Sequence, residues 1–245
     1  MVTCNYCNQV YQSNVNFCSN CGKKIEINHK KRVSLDVIIA FYVSILVYIG
    51  VSYYILDAYP DNFSAEIITE SLFAFLVLGF SASNFKDLVK LYKLPKINIW
   101  MIVFVLLTFA NAFVVNYFVS LVNGVVDPEN LSESYYEYYI FLDHPLIWSI
   151  FFIAILPPIF EELAFRGFLF NALNKLTSVK TTIIATSFLF ALIHLSVVSI
   201  LWIFPFGIFL GYLRWKYNSL WIPMLIHFIH NFTVLMIDYY SYTPI

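Results

Sequence analysis

From Thr181 to Leu213 the chain runs 33 residues without an aspartate, glutamate, lysine or arginine. As a single helix rising ~1.5 Å per residue that stretch would reach about 50 Å, against a bilayer hydrocarbon core of about 30 Å. A hairpin near Ser196 to Ser199 fits better and gives two short apolar arms. Shorter uncharged runs recur upstream, and only 12% of the residues are charged, against about 25% for a soluble domain. With 60% hydrophobic residues and a mean hydropathy of +0.75, ordinary globular packing is excluded and lipid is the expected solvent.

The expected fold is an all-α polytopic membrane protein with about seven transmembrane helices. They are read at 33–56, 66–84, 97–123, 145–173 in part, 180–196, 198–213 and 219–239. The charges orient them, because cytoplasmic loops collect lysine and arginine. With the amino terminus in the cytoplasm beside Lys23, Lys24, Lys30, Lys31 and Arg32, alternation sends Lys86, Lys90, Lys93, Lys96, Lys175, Lys180, Arg214 and Lys216 to the same side. Arg166 completes the 14 basic residues. The outer connections carry Asp57, Asp61, Asp127, Glu129, Glu133, Glu137 and Asp143. Merging the fifth and sixth spans would send Arg214 and Lys216 outside. No basic-then-apolar leader with a cleavage site begins the chain, so a removed signal peptide is not expected. The net charge of −1, segregated along the chain, gives no footprint for nucleic acid. An integral, multi-pass protein of the cell membrane is the resulting expectation, with membrane lipid as its first partner.

All four cysteines precede the first span, as Cys4-x-x-Cys7 and Cys18-x-x-Cys21. Two such turns present four thiolates to one cation, the closed tetrahedral shell of a structural zinc ion. A segment this short has no core of its own, so the metal would supply its folding free energy. Two disulfides are the alternative, and they require an oxidising compartment. The segment resembles the short zinc ribbons that begin many bacterial membrane proteins. The organisation expected is a ribbon over 1–25, a basic linker over 26–32, amino-terminal membrane helices over 33–144 and a core over 145–240.

Ionisable groups inside membrane segments are costly, so each is a functional candidate. Glu161 and Glu162 follow Pro157-Pro158. Glu162 and Arg166 are four apart, which places them on one helix face in the favourable order for an ion pair, while Glu161 points about 100° away. Phe190 and His194 share a face of the fifth span, and His227 and Asn231 share a face of the seventh. His230 is offset. Asp238 lies near the outer end and reads as a hydrated charge. Asn111 and Asn116 read as interhelical hydrogen bonds. Tyr135 to Tyr139, Trp148, Trp202, Trp215 and Trp221 read as interface anchors. Glu161, His194, His227 and Asn231 together suit amide hydrolysis. A carboxylate and an imidazole hold a water and take its proton, while an imidazole and a carboxamide donate to the oxyanion.

Glu161-Glu162-x-x-x-Arg166, Phe190-x-x-x-His194 and His227-x-x-x-Asn231, in that order on successive apolar segments, resemble the motifs of the CPBP intramembrane proteases. That family takes in type II CAAX prenyl endopeptidases and bacterial proteins tied to bacteriocin processing and self-immunity, often called Abi proteins. Phe165-Arg166-Gly167 and Leu220-Trp221-Ile222-Pro223 match as well, and the likeness covers about residues 145 to 240. It implies Glu161 as general base, His194 as the residue positioning the water, and His227 with Asn231 as the oxyanion site. Glu162 and Arg166 would support them, and a membrane-associated peptide or protein would be cut near the cytoplasmic face. A catalytic cation held by Glu161, His194 and His227 is the rival mechanism, although no His-Glu-x-x-His signature is present. A non-catalytic scaffold or self-immunity protein, docking a cytoplasmic partner through the ribbon, is the alternative function. A proton-relaying transporter is a third, without the internal repeat that would favour it.

One distance stands against a common site. Along ideal helices Glu161 lies ~22 Å from Leu146 and His227 ~12 Å from Ser219, while His194 falls ~21 Å from Lys180. The expectation is that the Pro157-Pro158 kink, or a fifth span projecting into the cytoplasm, reconciles them.

Overall fold

In the computed structural model, which describes residues 2–4, 6–12, 15, 17–23, 35–126 and 134–242, the apolar segments are helices. They are α1 (Leu35–Ala58), α2 (Phe63–Ala82), the short α3 (Phe85–Val89), α4 (Ile99–Val126), α5 (Pro145–Leu173), α6 (Val179–Leu192), α7 (Val197–Tyr217) and α8 (Trp221–Tyr242). A separate unit, Met1–Ser34, holds the cysteines and one antiparallel pair, β1 (Val2–Thr3) with β2 (Val10–Tyr11). Lys24, the linker 26–32, Asp127, Glu129 and Glu133 lie outside the described residues.

Lipid offers no hydrogen bonds, so helix ends need side-chain partners. Asn62 Oδ1 accepts from the Ser64 and Ala65 amides at the start of α2. Ser178 and Ser196 cap α6 and α7 in the same way. The Ser196 cap sets the hairpin, whose turn comes at 193–196 rather than at the expected Ser196 to Ser199.

Among the described residues, α1, α2, α4, α5 and α8 are the five helices long and apolar enough to cross a membrane. α6 has 14 residues, about 21 Å of helix, and it packs along α7. A Cβ on Gly207 would stand 3.1 Å from Ser187 Cβ, and one on Gly211 would stand 3.2 Å from Ile183 Cγ2. The small-x-x-x-small pair is what lets these two backbones approach. α8 packs on α4 and on α7, and Met101, Leu210, Leu213, Ile222 and Ile226 form the core that the three helices share. The Phe41 ring meets Phe80, Phe165 and Phe168, so α1 and α2 close over α5.

The basic connections meet at one end of the bundle. Lys175 Nζ bonds Asn84 Oδ1 at 3.3 Å, Ser219 Oγ donates to the Lys93 carbonyl, and Trp221 Nε1 donates to the Tyr92 carbonyl at 2.7 Å. Another connection is pinned to α8 by Asp238, whose Oδ2 accepts from Ser134 Oγ at 2.8 Å and the Tyr136 amide at 2.9 Å. Asp238 is therefore a loop anchor, not the hydrated charge that its position near the outer end of the last span suggested.

α5 departs from an ideal helix. Ile150–Ile155 and Leu163–Leu169 are π-helical. Pro157 and Pro158 lack the N–H groups that would reach back four or five residues to the Ile153 carbonyl. Asn231 on α8 takes their place, donating Nδ2 to that oxygen at 3.0 Å.

Candidate functional site

The buried centre is an ion pair on α5. Arg166 Nη1 bonds Glu162 Oε1 at 2.9 Å with both side chains fully buried, as the four-residue spacing requires. Arg166 is held further by Nη2 on the Gly207 carbonyl and by the Phe190 ring, 4.3 Å from its guanidinium carbon. The same Glu162 oxygen accepts from His227 Nδ1 at 3.0 Å. Glu162 thus fixes the α8 imidazole with Nδ1 protonated, and Nε2 faces Glu161, whose Oε2 lies 3.8 Å away. Adjacent glutamates serve different faces of one ring, a division the sequence suggested without showing which group joined them.

His194 stands just beyond the end of α6. Its Nδ1 donates to the Phe190 carbonyl at 3.0 Å, which leaves Nε2 unprotonated in the neutral ring. Phe190 packs edge-on against both His194 and His227, at 5.1 and 6.0 Å between ring centres. The aromatic of the Phe-x-x-x-His pair is core and also the spacer between the two imidazoles.

Two cavities meet at His194. The larger, about 520 Å³, is lined by His194, His227, His230 and Asn231 together with Phe190, Phe206 and residues of α4 and α7. The smaller, about 170 Å³, is lined by Glu161 and His194 with Tyr48, Glu70, Phe73 and Pro157. Glu161 and His194 therefore do share a space, although ideal-helix lengths separated them. The broad π turns of α5 advance less per residue than an α-helix, and the short α6 ends level with them. The His230 ring packs tilted against Phe206, 4.6 Å between ring centres.

The structure adds to the readings of four polar or aromatic residues. Tyr135 and Trp202 line the larger cavity instead of serving only as interface anchors. Asn116 lines it as well, and Tyr139 is buried and stacked on Phe152 at 5.6 Å. Glu70 was missed. The signal that marks it is the one that marked Glu161, a carboxylate inside a span, and Glu66 stands four residues before it on the same face of α2.

In the amino-terminal unit the four thiol sulfurs lie within 4.8 Å of one another, with Cys4–Cys21 at 3.6 Å and Cys7–Cys18 at 3.4 Å. A cation about 2.3 Å from each would space them about 3.8 Å apart, so the set fits one tetrahedral ion. The two turns are built alike. The Cys4 and Cys18 carbonyls accept from the Asn8 and Gly22 amides, and both of those residues have positive φ, 60° and 69°. Glycine takes that conformation freely, and asparagine is among the side chains that tolerate it. The Tyr11 hydroxyl donates to Cys18 Sγ at 3.2 Å and holds that thiol down at about 6. Among the described residues, no other group of three or more histidine, cysteine or acidic side chains gathers in this way.

The carboxyl-terminal helices enclose one polar interior. They form a membrane bundle whose interior carries a buried Arg–Glu–His chain, with a second glutamate and a second histidine at a cavity wall. Residues 143–233 match the family described as type II CAAX prenyl endopeptidase Rce1-like. This segment, which contains every residue of the three motifs, is similar to that family of membrane proteases. No curated protein and no solved structure matches the chain.

Proposed function

We infer that the protein is an endopeptidase that cleaves membrane-associated peptides or proteins near the cytoplasmic face of the cell membrane. The observation that carries this reading is the junction at His194. Glu161 and His194 share one cavity, while His194, His227 and Asn231 share the next. A water between Glu161 and His194 gives a proton to the Glu161 carboxylate, and its oxygen attacks a peptide carbonyl entering from the larger cavity. The carbonyl oxygen, as it gains charge, is met by His227 Nε2–H and by the second Nδ2–H of Asn231. That role requires the doubly protonated His227 ring, whose charge Glu162 faces at 3.0 Å. Collapse breaks the C–N bond, and the proton on Glu161 passes to the leaving amine.

Seven crossings with a cytoplasmic amino terminus follow if α6 and α7 cross as a hairpin. The meeting of the basic connections at one end supports that topology. The four-thiol unit is then a structural zinc ribbon in a reducing compartment and a docking element for a cytoplasmic protein partner. It should hold one zinc per chain by elemental analysis, lost in Cys4→Ser.

A metal-assisted version of the same reaction has an observation in its favour. Both imidazoles give Nδ1 to an oxygen and turn Nε2 free, the arrangement in which histidine ligates a cation. Metal content separates the two. A second bound metal that survives Cys4→Ser and disappears with His227→Ala assigns the metal version.

The test of function is cleavage of a prenylated Cys-a-a-X peptide, and of its unprenylated counterpart, in proteoliposomes. Glu161→Gln and His194→Ala should each abolish it while accumulating normally in the membrane. Full cleavage by both variants would sink the assignment of this site, and absence of cleavage by the parent chain would favour a non-catalytic scaffold or self-immunity protein.

A further inference from the structure

Glu70 stands outside residues 143–233, on a helix that no motif covers. α2 packs on the Leu156–Leu169 part of α5, and its buried stripe runs through Ala65, Thr69, Phe73 and Val77. Glu66 and Glu70 extend that stripe. Phe73 stacks on Tyr48 of α1 at 5.1 Å, which fixes the wall beside Glu70. Among the described residues no lysine, arginine or histidine pairs with the Glu70 carboxylate. A carboxyl group inside a membrane helix, ionised or protonated, needs a hydrogen-bond partner, and where no protein group among the described residues supplies one that partner is water. The cavity it lines, about 170 Å³, has room for on the order of five waters at ~30 Å³ each. The other polar groups of that cavity are Tyr48, Glu161 and His194, so the water Glu70 requires lies against the two residues assigned to activate one.

We propose that Glu70 is a positioning residue for the hydrolytic water. It accepts a hydrogen bond from cavity water on the side away from the peptide, so that the nucleophile stands between Glu161 and His194 with its lone pair turned toward the larger cavity. Peptide and water then approach His194 from opposite sides. No bond to Glu70 forms or breaks, and the proton leaving the water still goes to Glu161. The inference rests on the endopeptidase reading above. The ionisable groups facing Glu70 are Tyr48 from α1, Glu66 from its own helix, Glu161 from α5, His194 beyond α6, and Tyr139 from the connection before α5.

The experiment measures kcat, KM and the pH profile of peptide cleavage in proteoliposomes for the full chain, Glu70→Ala, Glu70→Gln and Glu70→Asp, with Glu161→Gln alongside. Loss of a positioned water should lower kcat of Glu70→Ala by roughly 10- to 100-fold and leave KM within about twofold. The acid limb of the profile should move in Glu70→Gln, which keeps the shape of the side chain. Glu70→Asp should recover part of kcat. Melting temperatures of the variants must stay within a few degrees of the parent for the comparison to hold, and Glu70→Gln carries the test if Glu70→Ala does not fold. Wild-type kcat and an unmoved pH limb in Glu70→Gln, with Glu161→Gln inactive, would overturn this inference alone. An active Glu161→Gln would instead overturn the assignment of Glu161 as general base, on which the reading of the site rests.

Discussion

Replacing Glu162 by glutamine should lower the stability of this protein as well as its activity, whereas the same replacement at Glu161 should lower activity and leave stability nearly unchanged. Glu162 Oε1 receives Arg166 Nη1 at 2.9 Å and His227 Nδ1 at 3.0 Å, with Glu162 and Arg166 fully buried. Glutamine keeps the volume and removes the charge, which strands a guanidinium in the bundle core. Removing one partner of a buried pair costs about 3–5 kcal/mol. At about 2–4 °C per kcal/mol for a chain of this size, the melting temperature should fall by roughly 6–20 °C. Glu161 is partly exposed and meets His227 only at 3.8 Å, so Glu161→Gln should melt within about 2 °C of the parent. Replacing both members of the pair, as in Glu162→Gln with Arg166→Met, removes the stranded charge and should restore part of the loss. The assay is thermal unfolding in detergent followed by intrinsic fluorescence, with cleavage measured on the same samples. An unchanged melting temperature for Glu162→Gln, or a double variant no better than the single one, would refute the view of Glu162 as the charge that holds the core.

The proline-driven gap in α5 gives a second pair of variants. Asn231→Ala leaves the Ile153 carbonyl without its donor and should cost about 1–3 kcal/mol, and Pro157→Ala, which returns a backbone N–H near that oxygen, should recover part of it by the same unfolding measurement. Gly207→Ala should destabilise by about 1–3 kcal/mol, because its Cβ would press on Ser187 and on Arg166 Nη2 at 3.1 and 3.3 Å. Gly50→Ala meets nothing within 4 Å and should be neutral or slightly stabilising. Urea or heat unfolding of the two glycine variants, side by side, checks that contrast.

Much of this arrangement was legible in the chain. The charge-free runs and the clustering of lysine and arginine mark helices and sides because lipid tolerates so few other solutions. Cys4-x-x-Cys7 and Cys18-x-x-Cys21 mark their turn geometry by spacing alone. Glu162 and Arg166 were readable because a four-residue step stacks side chains on one face. What spacing could not give was contact between helices. That His227 is bonded to Glu162 while facing Glu161, and that His194 opens onto two cavities, depends on where α6 stops and how far α5 advances. The π-helical turns set that advance, and a count of ideal residues per turn does not contain them. Asn231 illustrates the same limit. Its spacing from His227 pointed to chemistry, but its bond to Ile153 answers a defect made by prolines 73 and 74 positions earlier. Tyr135 was read as an anchor and Glu70 escaped notice because a tyrosine near a headgroup and a glutamate near a helix start both have ordinary explanations.

Along α8 the residues at 227, 231, 234 and 238 occupy one face, and each engages a different part of the molecule. His227 reaches the glutamates, Asn231 the interrupted α5, Val234 the wall of the larger cavity, and Asp238 the connection that carries Tyr135 over it. The helix is a ruler, with its four marks spaced by its own pitch. A substitution erases one mark and leaves the others in register. A one-residue insertion between His227 and Asp238 would turn every later mark by about 100°, so the length of this segment is held as tightly as its chemistry, even where individual letters between the marks are free to change.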